Sequence, residues 1–361
     1  MSRVYLNGVL LALTLAVSFV SAWIVTPAPT AFLLALCVAA IELSPYLLVA
    51  NIALAATALT RKRSWKAWPL AFSAATLGAI ATLFPLLESR GQAPLSLYFL
   101  IAIPQRVIVD SLSISLSNEL QLSTEVYRPR RGGIHPIVVA VHGGAWQRGS
   151  AKNDAGLNRY IASRGYCVFA IDYRQAPKFH FPVPLDDITL AVNAVRRSAG
   201  RFNCNPDVMA ILGHSAGGEL SLLAAYRPHS AMRAVVSYSG PLDLVSGYEF
   251  LPQPDPLNVR ALLETYLGGT PRAKFQLYRE ASPLYAVRSH LPATLLIYGK
   301  RDHVVDVRHA RRMRDALQRA GNDVTYLELP FAEHSFESVF YGLNNRIALP
   351  YLDRFLNRTL R

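Results

Sequence analysis

The chain has 361 residues, 52% of them hydrophobic, and carries 37 Lys+Arg against 24 Asp+Glu for a net charge of +13. This length admits one large domain or two, and a mean hydropathy of +0.22 excludes a chain that is hydrophilic throughout. The apolar excess lies at one end: from Met1 to Thr60 the only charged side chains are Arg3 and Glu42, whereas after Glu88 charges recur every few residues.

Three apolar stretches precede that change, Val4 to Val25, Ala31 to Leu59 and Ala67 to Leu87. Each reaches the roughly 20 residues that a helix needs to cross a bilayer core. Residues 1–90 are therefore predicted to be a membrane region with about three transmembrane helices, ahead of a separate unit over 91–361. Pro45, Pro69 and Pro85 would kink or cap these helices, which membrane helices tolerate. Between the second and third stretches, "RKRSWK" at 61–66 is the densest basic cluster of the first hundred residues. The positive-inside rule places it in the cytoplasm, so the third helix leads outward and the later unit is expected on the exoplasmic side. The first stretch also fits a cleaved signal peptide, with Arg3 before a long apolar run and "VSA" at 20–22; its removal would leave the later topology unchanged.

After Gln105 the pattern turns to short β-rich runs. "RVIVDSLSISL" (106–116) and "LQLSTEVYRP" (120–129) alternate apolar and polar residues, as an antiparallel pair at a sheet edge does. Six near-continuous apolar runs follow: "PIVVAVH" (136–142), "YCVFAI" (166–171), "VMAIL" (208–212), "AVVSYS" (234–239), "ATLLIY" (293–298) and "DVTYLEL" (323–329). Such runs fit parallel strands buried on both faces. Helical segments alternate with them; Ile188, Ala191, Val192 and Val195 mark one amphipathic face. The alternation predicts a doubly wound α/β domain, in which reactive groups gather at the carboxyl ends of the strands.

"PIVVAVH" leads into "HGGAW" (142–146), where Gly143 and Gly144 can present backbone N–H groups to a developing oxyanion; the alternative is a plain glycine turn that His142 merely braces. "IDYRQAP" ends the next run, and Asp172 and Arg174 read as a buried charge pair with Asp186 or Asp187 as partner. "VMAIL" runs into "GHSAGG", whose G-x-S-x-G spacing lifts Ser215 above the sheet on a strained strand-to-helix turn, with Ala216 as a third oxyanion donor. His214 and Glu219 read as structural.

A serine hydroxyl needs a base, and the base an orienting acid. "YGKRDHVVD" offers Asp302 and Asp306, of which Asp302 lies nearer the strand end; "PFAEHSFE" offers His334. The order Ser215, Asp302, His334 is the order this elbow uses. His303 and His309 share a loop and helix with the acid, so they are not expected to approach Ser215 from the opposite side as its base.

"HGGAW", "IDYRQAP", "GHSAGG", "GKRDHVV" and "EHSF", in this order, resemble the α/β-hydrolase superfamily, and within it the esterases related to hormone-sensitive lipase and the feruloyl-esterase-like and arylformamidase-like enzymes. The resemblance covers about residues 105–361. It implies a nucleophile, acid and base at Ser215, Asp302 and His334, and an oxyanion hole at Gly143, Gly144 and Ala216. The helical cap that commonly precedes the first strands in the hormone-sensitive-lipase group is replaced here by the apolar helices. The long connection 240–287 is expected to form a lid over the acyl pocket or a crossover helix with a surface loop, with Tyr248, Phe250 and Leu251 as wall residues.

The expected function is a membrane-anchored serine esterase that needs no metal or cofactor and takes a small-molecule ester or acyl substrate. The same residues would serve an amide or formamide hydrolase, an acyltransferase, or a non-catalytic binding protein on this fold. Of three cysteines, Cys167 and Cys204 allow at most one disulfide in the outer unit, with Cys37 in the membrane region. In the basic stretch "RHARRMRDALQR" (308–319), Ala310, Met313, Leu317 and Ala320 recur at helical spacing. Its arginines read as the solvated side of a packed helix, with phospholipid headgroups as a weak partner and no nucleic-acid role.

Overall fold

The computed structural model describes residues 3–62, 65–92, 107–115 and 121–361. Arg63 and Ser64 of the basic cluster, and Arg106, Leu116 and Leu120 of the edge pair, lie outside the described residues.

The apolar N-terminal region folds as helices α1 (Arg3–Ala22), α2 (Ala31–Glu42), α3 (Ser44–Thr60) and α4 (Trp68–Glu88). Only α1 and α4 are each long and apolar enough to cross a membrane; α2 and α3 reach that length only when counted together. The second apolar stretch is thus two helices, bent by 79° at Leu43. Pro45 sits in the first turn of α3, where its missing N–H costs nothing and its ring cannot continue the preceding helix. Helix α3 packs along α4, and α1 packs against both. A polar link ties the three together: Asn51 donates to Ser21 Oγ at 2.9 Å, and its side chain fills the space beside Gly78.

The later unit is an eight-stranded sheet: β1 (Ile108–Ser115), β2 (Gln121–Arg128), β3 (His135–Val141), β4 (Cys167–Ile171), β5 (Cys204–His214), β6 (Met232–Tyr238), β7 (Ala293–Gly299) and β8 (Val324–Leu329). The strand order is β1-β2-β4-β3-β5-β6-β7-β8. The first two strands pair antiparallel and β2 pairs antiparallel with β4; the rest of the sheet is parallel.

The apolar runs are continuous because alternate residues face different helix layers. On β3, Ile137, Val139 and Val141 meet one layer while Val138 and Ala140 meet the other. One layer holds α5 (Ala155–Ser163) and the C-terminal helix, packed through Leu157, Ile161, Ile347 and Leu352. The opposite layer holds α6 (Val183–Ser198), α7 (Ala216–Tyr226), α9 (Val259–Leu267) and α11 (Val307–Arg319), with α8 (Leu244–Glu249) and α10 (Pro271–Glu280) between β6 and β7; α12 (Leu343–Leu360) is the C-terminal helix. As the spacing predicts, Ala310, Met313 and Leu317 of α11 are buried. Cys167 and Cys204, on strands flanking β3, are joined by a disulfide.

Candidate active site

Strand β5 ends at His214, and Ser215 turns the chain into α7 with φ 48° and ψ −121°. The two flanking glycines are required by close approach. A Cβ on Gly213 would lie 2.1 Å from Gly217 O, and one on Gly217 would lie 2.3 Å from Val141 O. Ser215 N–H donates to Tyr238 O at 2.8 Å, which pins the turn to the neighbouring strand.

The structure brings the three predicted residues together. His334 donates from Nδ1 to Asp302 Oδ2 at 2.8 Å, which leaves Nε2 to accept from Ser215 Oγ at 3.0 Å. Asp302 is held from behind, since its Oδ1 accepts the N–H groups of Val304 at 2.8 Å and Val305 at 2.7 Å. Burial, the largest single influence, would lower the His334 pKa, but Asp302, as a charge and a hydrogen-bond acceptor, together with Glu337 and Glu333 outweighs it, and the net shift is upward.

The N–H groups of Gly143, Gly144 and Ala216 have no acceptor among the described residues, and Gly143 and Gly144 line the same cavity as Ser215. His142 braces their turn: Nδ1 bonds Gly143 O at 2.7 Å and the ring stacks on Tyr173. The glycine loop continues into Trp146, whose Nε1 donates to Glu219 at 2.9 Å and whose ring stacks on Tyr266 at 4.1 Å. Burial pushes the Glu219 carboxyl well above the usual range. Trp146 lay inside a quoted motif, yet its partner 73 residues away has no local signal.

The cavity is about 230 Å³ and has two kinds of wall. Leu244, Leu251, Leu257, Leu263 and Val304 give an apolar side, while Asn153, Asp154, His214 and Glu337 give a polar one. Phe250 and Leu251 line it as predicted; Tyr248 does not, because its hydroxyl donates to Glu264 at 2.6 Å and its ring packs on Tyr278. The 240–287 connection folds as α8, α9 and α10, and α8, α9 and the chain between them supply most of the apolar wall.

Other expectations need correction. Arg174 pairs with Asp187 through Nε and Nη2, at 2.8 and 2.7 Å, and not with Asp172. Asp172 instead accepts Ala151 N–H and lies 3.5 Å from His142 Nε2, while Asp186 pairs with Arg227. The strand β4 end turns the two side chains to different neighbours. As expected, neither His303 nor His309 reaches Ser215 among the described residues: His303 is taken up by Glu333, and His309 lines the cavity without a bond to the serine. Asp306 caps α11 through Arg308 N–H. His214 lies 3.3 Å from Glu337, a neighbour for which the sequence carries no signal beyond the spacing from His334. Burial opposes charge on His214, yet Asp154 and Glu337 push its pKa up.

Comparison with known proteins agrees with this architecture. Probable carboxylic ester hydrolase LipM of Mycobacterium tuberculosis is 31% identical over 216 residues, 57% of this chain and 50% of LipM. Esterase LipC of the same organism is 31% identical over 215 residues, 56% of this chain and 53% of LipC. The match thus spans about half the length of these curated relatives. A Pyrobaculum calidifontis esterase superposes with TM-score 0.62 at 24% identity, covering 70% of this chain and 86% of its own. EstE1, a thermostable carboxylesterase from a metagenomic library, superposes with TM-score 0.63 at 21% identity, covering 72% and 92%. Both likenesses establish the α/β-hydrolase fold. The BD-FAE family matches residues 124–317, more than half of the chain and the segment that carries Gly143, Gly144, Ser215 and Asp302, and the chain belongs to that family.

Proposed function

We propose that the chain is a membrane-anchored serine hydrolase that cleaves carboxylic esters through an acyl-enzyme on Ser215. One observation carries the reading: a hydrogen-bonded line from Asp302 through His334 to Ser215, at 2.8 and 3.0 Å, beside N–H groups that no acceptor among the described residues uses. The names of the relatives, a carboxylic ester hydrolase and an esterase, support the same chemistry.

Ser215 Oγ forms a bond to the ester carbonyl carbon while its proton passes to His334 Nε2. The carbonyl π electrons move onto oxygen, where Gly143, Gly144 and Ala216 donate hydrogen bonds; one such donor is worth about 3 kcal/mol in well-studied enzymes. Collapse breaks the carbon–oxygen bond to the alcohol, which leaves with the proton from His334. Water then attacks the acyl-enzyme by the same steps and releases the acid. Asp302 holds the imidazole in the tautomer that exposes Nε2 and stabilises its positive form.

In this reading residues 1–90 are the anchor and 91–361 the catalytic unit, with 240–287 as the insertion over the pocket. Helices α1 and α4 cross the bilayer and the bent α2–α3 pair makes the third span, with the basic cluster at 61–66 cytoplasmic and the catalytic unit exoplasmic. Helix α2, at 12 residues about 18 Å long, is by itself too short for a hydrocarbon core of about 30 Å, and its last residue, Glu42, lies against the catalytic unit.

The test is hydrolysis of p-nitrophenyl acyl esters and labelling by a fluorophosphonate, with Ser215→Ala abolishing both. Unchanged activity in that variant refutes the assignment.

A further inference from the structure

Both loops that carry the triad are tied to the N-terminal helices, and the chemistry above uses neither tie. Arg301, next to Asp302, donates from Nη1 to Ile24 O at 2.7 Å and lies over the Phe331 ring at 4.2 Å. Phe331, three residues before His334, is buried among Ile24, Leu34 and Ile41 of the α1–α2 segment. Glu42, the last residue of α2, accepts Asn344 N–H at 2.8 Å and Asn344 Nδ2 at 2.6 Å. Asn344 Nδ2 also lies 3.4 Å from Phe331 O. The approach is close enough that a Cβ on Gly342 would sit 2.3 Å from Glu42 Oε2.

Glu42 is 1% exposed and is one of only two charged residues in the first sixty. Burying a carboxylate costs several kcal/mol unless hydrogen bonds replace its water. An anchor alone could be built from the leucines and alanines that fill the rest of α2. The carboxyl group sits instead where α12 begins, at the positive end of that helix, and accepts the main-chain and side-chain N–H groups of Asn344. From there the chain runs back through Val339 to His334, with no other element of the N-terminal region carrying an acidic or basic side chain to the triad loops among the described residues.

We propose that Glu42 is a positioning residue: through Asn344 and Phe331, α2 holds the loop that keeps His334 in register with Asp302 and Ser215, so the anchor and the catalytic unit work as one. The proposal deepens the esterase reading and rests on it for its kinetic readout.

The test uses the full chain in detergent, with Glu42→Ala, Glu42→Gln and Asn344→Ala. Misplacing a catalytic group by about 1 Å can cost about 10²-fold, so Glu42→Ala should lower kcat on a p-nitrophenyl ester by about 10- to 100-fold with KM within about twofold. The acid limb of the pH profile should move down toward an ordinary histidine, because a loosened loop separates His334 from Asp302, Glu333 and Glu337. Glu42→Gln, which keeps an acceptor for Asn344, should restore most of kcat and the original midpoint. Hydrogen exchange over residues 331–338 should rise in Glu42→Ala and stay low at the Ser215 turn. A folded Glu42→Ala with wild-type kcat and midpoint overturns the proposal, as does a loss explained entirely by a smaller labelled fraction with an unmoved midpoint. If Glu42→Ala does not fold, Asn344→Ala reads the same link from the other side, and wild-type kcat and midpoint in that variant overturn it. If the wild-type chain shows no ester turnover, the esterase reading fails by itself; unchanged exchange over 331–338 in Glu42→Ala would then sink the positioning role separately.

Discussion

Trp146 donates its indole N–H to Glu219 at 2.9 Å, which joins the loop bearing Gly143 and Gly144 to the first turn of the helix behind Ser215. Burial keeps the Glu219 carboxyl protonated far above the usual range. A group whose folded pKa is raised contributes fully below the unfolded value, about 4.3, and loses that contribution as pH rises toward the folded value, by about 1.4 kcal/mol per pH unit. Glu219→Gln has no proton to lose and still offers an acceptor to Trp146. Its melting temperature relative to wild type should therefore climb between pH 5 and pH 8. A difference that is flat with pH would show that Glu219 is ionised in the folded chain. Glu219→Ala should be less stable at every pH, by about 1–3 kcal/mol, because Trp146 Nε1 loses its partner.

The pH profile of kcat/KM gives an independent reading of the triad. His334 must be neutral to accept the Ser215 proton, and its pKa is raised in the folded chain by Asp302 first, then Glu337 and Glu333, against the opposing effect of burial. Activity should rise with pH through a midpoint above the ordinary histidine value of about 6.5. Glu337→Gln removes one of those charges and should move the midpoint down without abolishing turnover. Asp302→Asn should reduce kcat by about 10⁴-fold, the size seen when the orienting acid is lost in a serine protease. A midpoint that does not move in Glu337→Gln would mean another group controls the limb.

What could be read from the sequence depended on whether the cause was local. Gly213, Ser215 and Gly217 are legible because a strand-to-helix turn this tight excludes side chains at both glycines, as the distances to Gly217 O and Val141 O explain. The six apolar runs are legible because both faces of the sheet are covered. The partner of Arg174 was not, since Asp172 and Asp187 are equally charged and only the path of the loop decides between them. Nor was the break at Leu43: hydropathy averages across it, and Glu42 reads as an isolated flaw in an apolar stretch until Asn344 is seen beside it. Tyr248 leaves the cavity wall because Glu264 and Tyr278, on the two following helices, take up its hydroxyl and ring, which no spacing in its own segment encodes.

Ser215 sits at φ 48° and ψ −121°, a conformation that a side chain opposes. Such strain costs about 1–3 kcal/mol, and alanine keeps it while glycine relieves it. Both Ser215→Ala and Ser215→Gly should be inactive toward esters, yet Ser215→Gly should be the more stable of the two by about 1 kcal/mol in denaturant titration. Equal stability would indicate that the turn relaxes when the hydroxyl is gone, and that the bond to His334 imposes the backbone geometry. Gly213→Ala should fail differently, by preventing the turn from closing, with a Cβ 2.1 Å from Gly217 O.

The Cys167–Cys204 disulfide bears on both stability and location. It closes a separation of 37 residues across the two strands that flank β3. In the chain-entropy view a loop of that size stabilises the fold by about 3–4 kcal/mol. A Cys167→Ser, Cys204→Ser pair should lower the urea midpoint accordingly while leaving ester turnover at ambient temperature near wild type, since neither residue lines the cavity. Disulfides of this kind persist where thiols are not kept reduced, as on the exoplasmic side of a membrane. Protein taken from membranes, denatured without reductant and treated with a maleimide should then label at Cys37 alone among the three cysteines. Labelling at Cys167 and Cys204 as well would contradict the proposed orientation, because it is the result expected of a catalytic unit held in the cytoplasm.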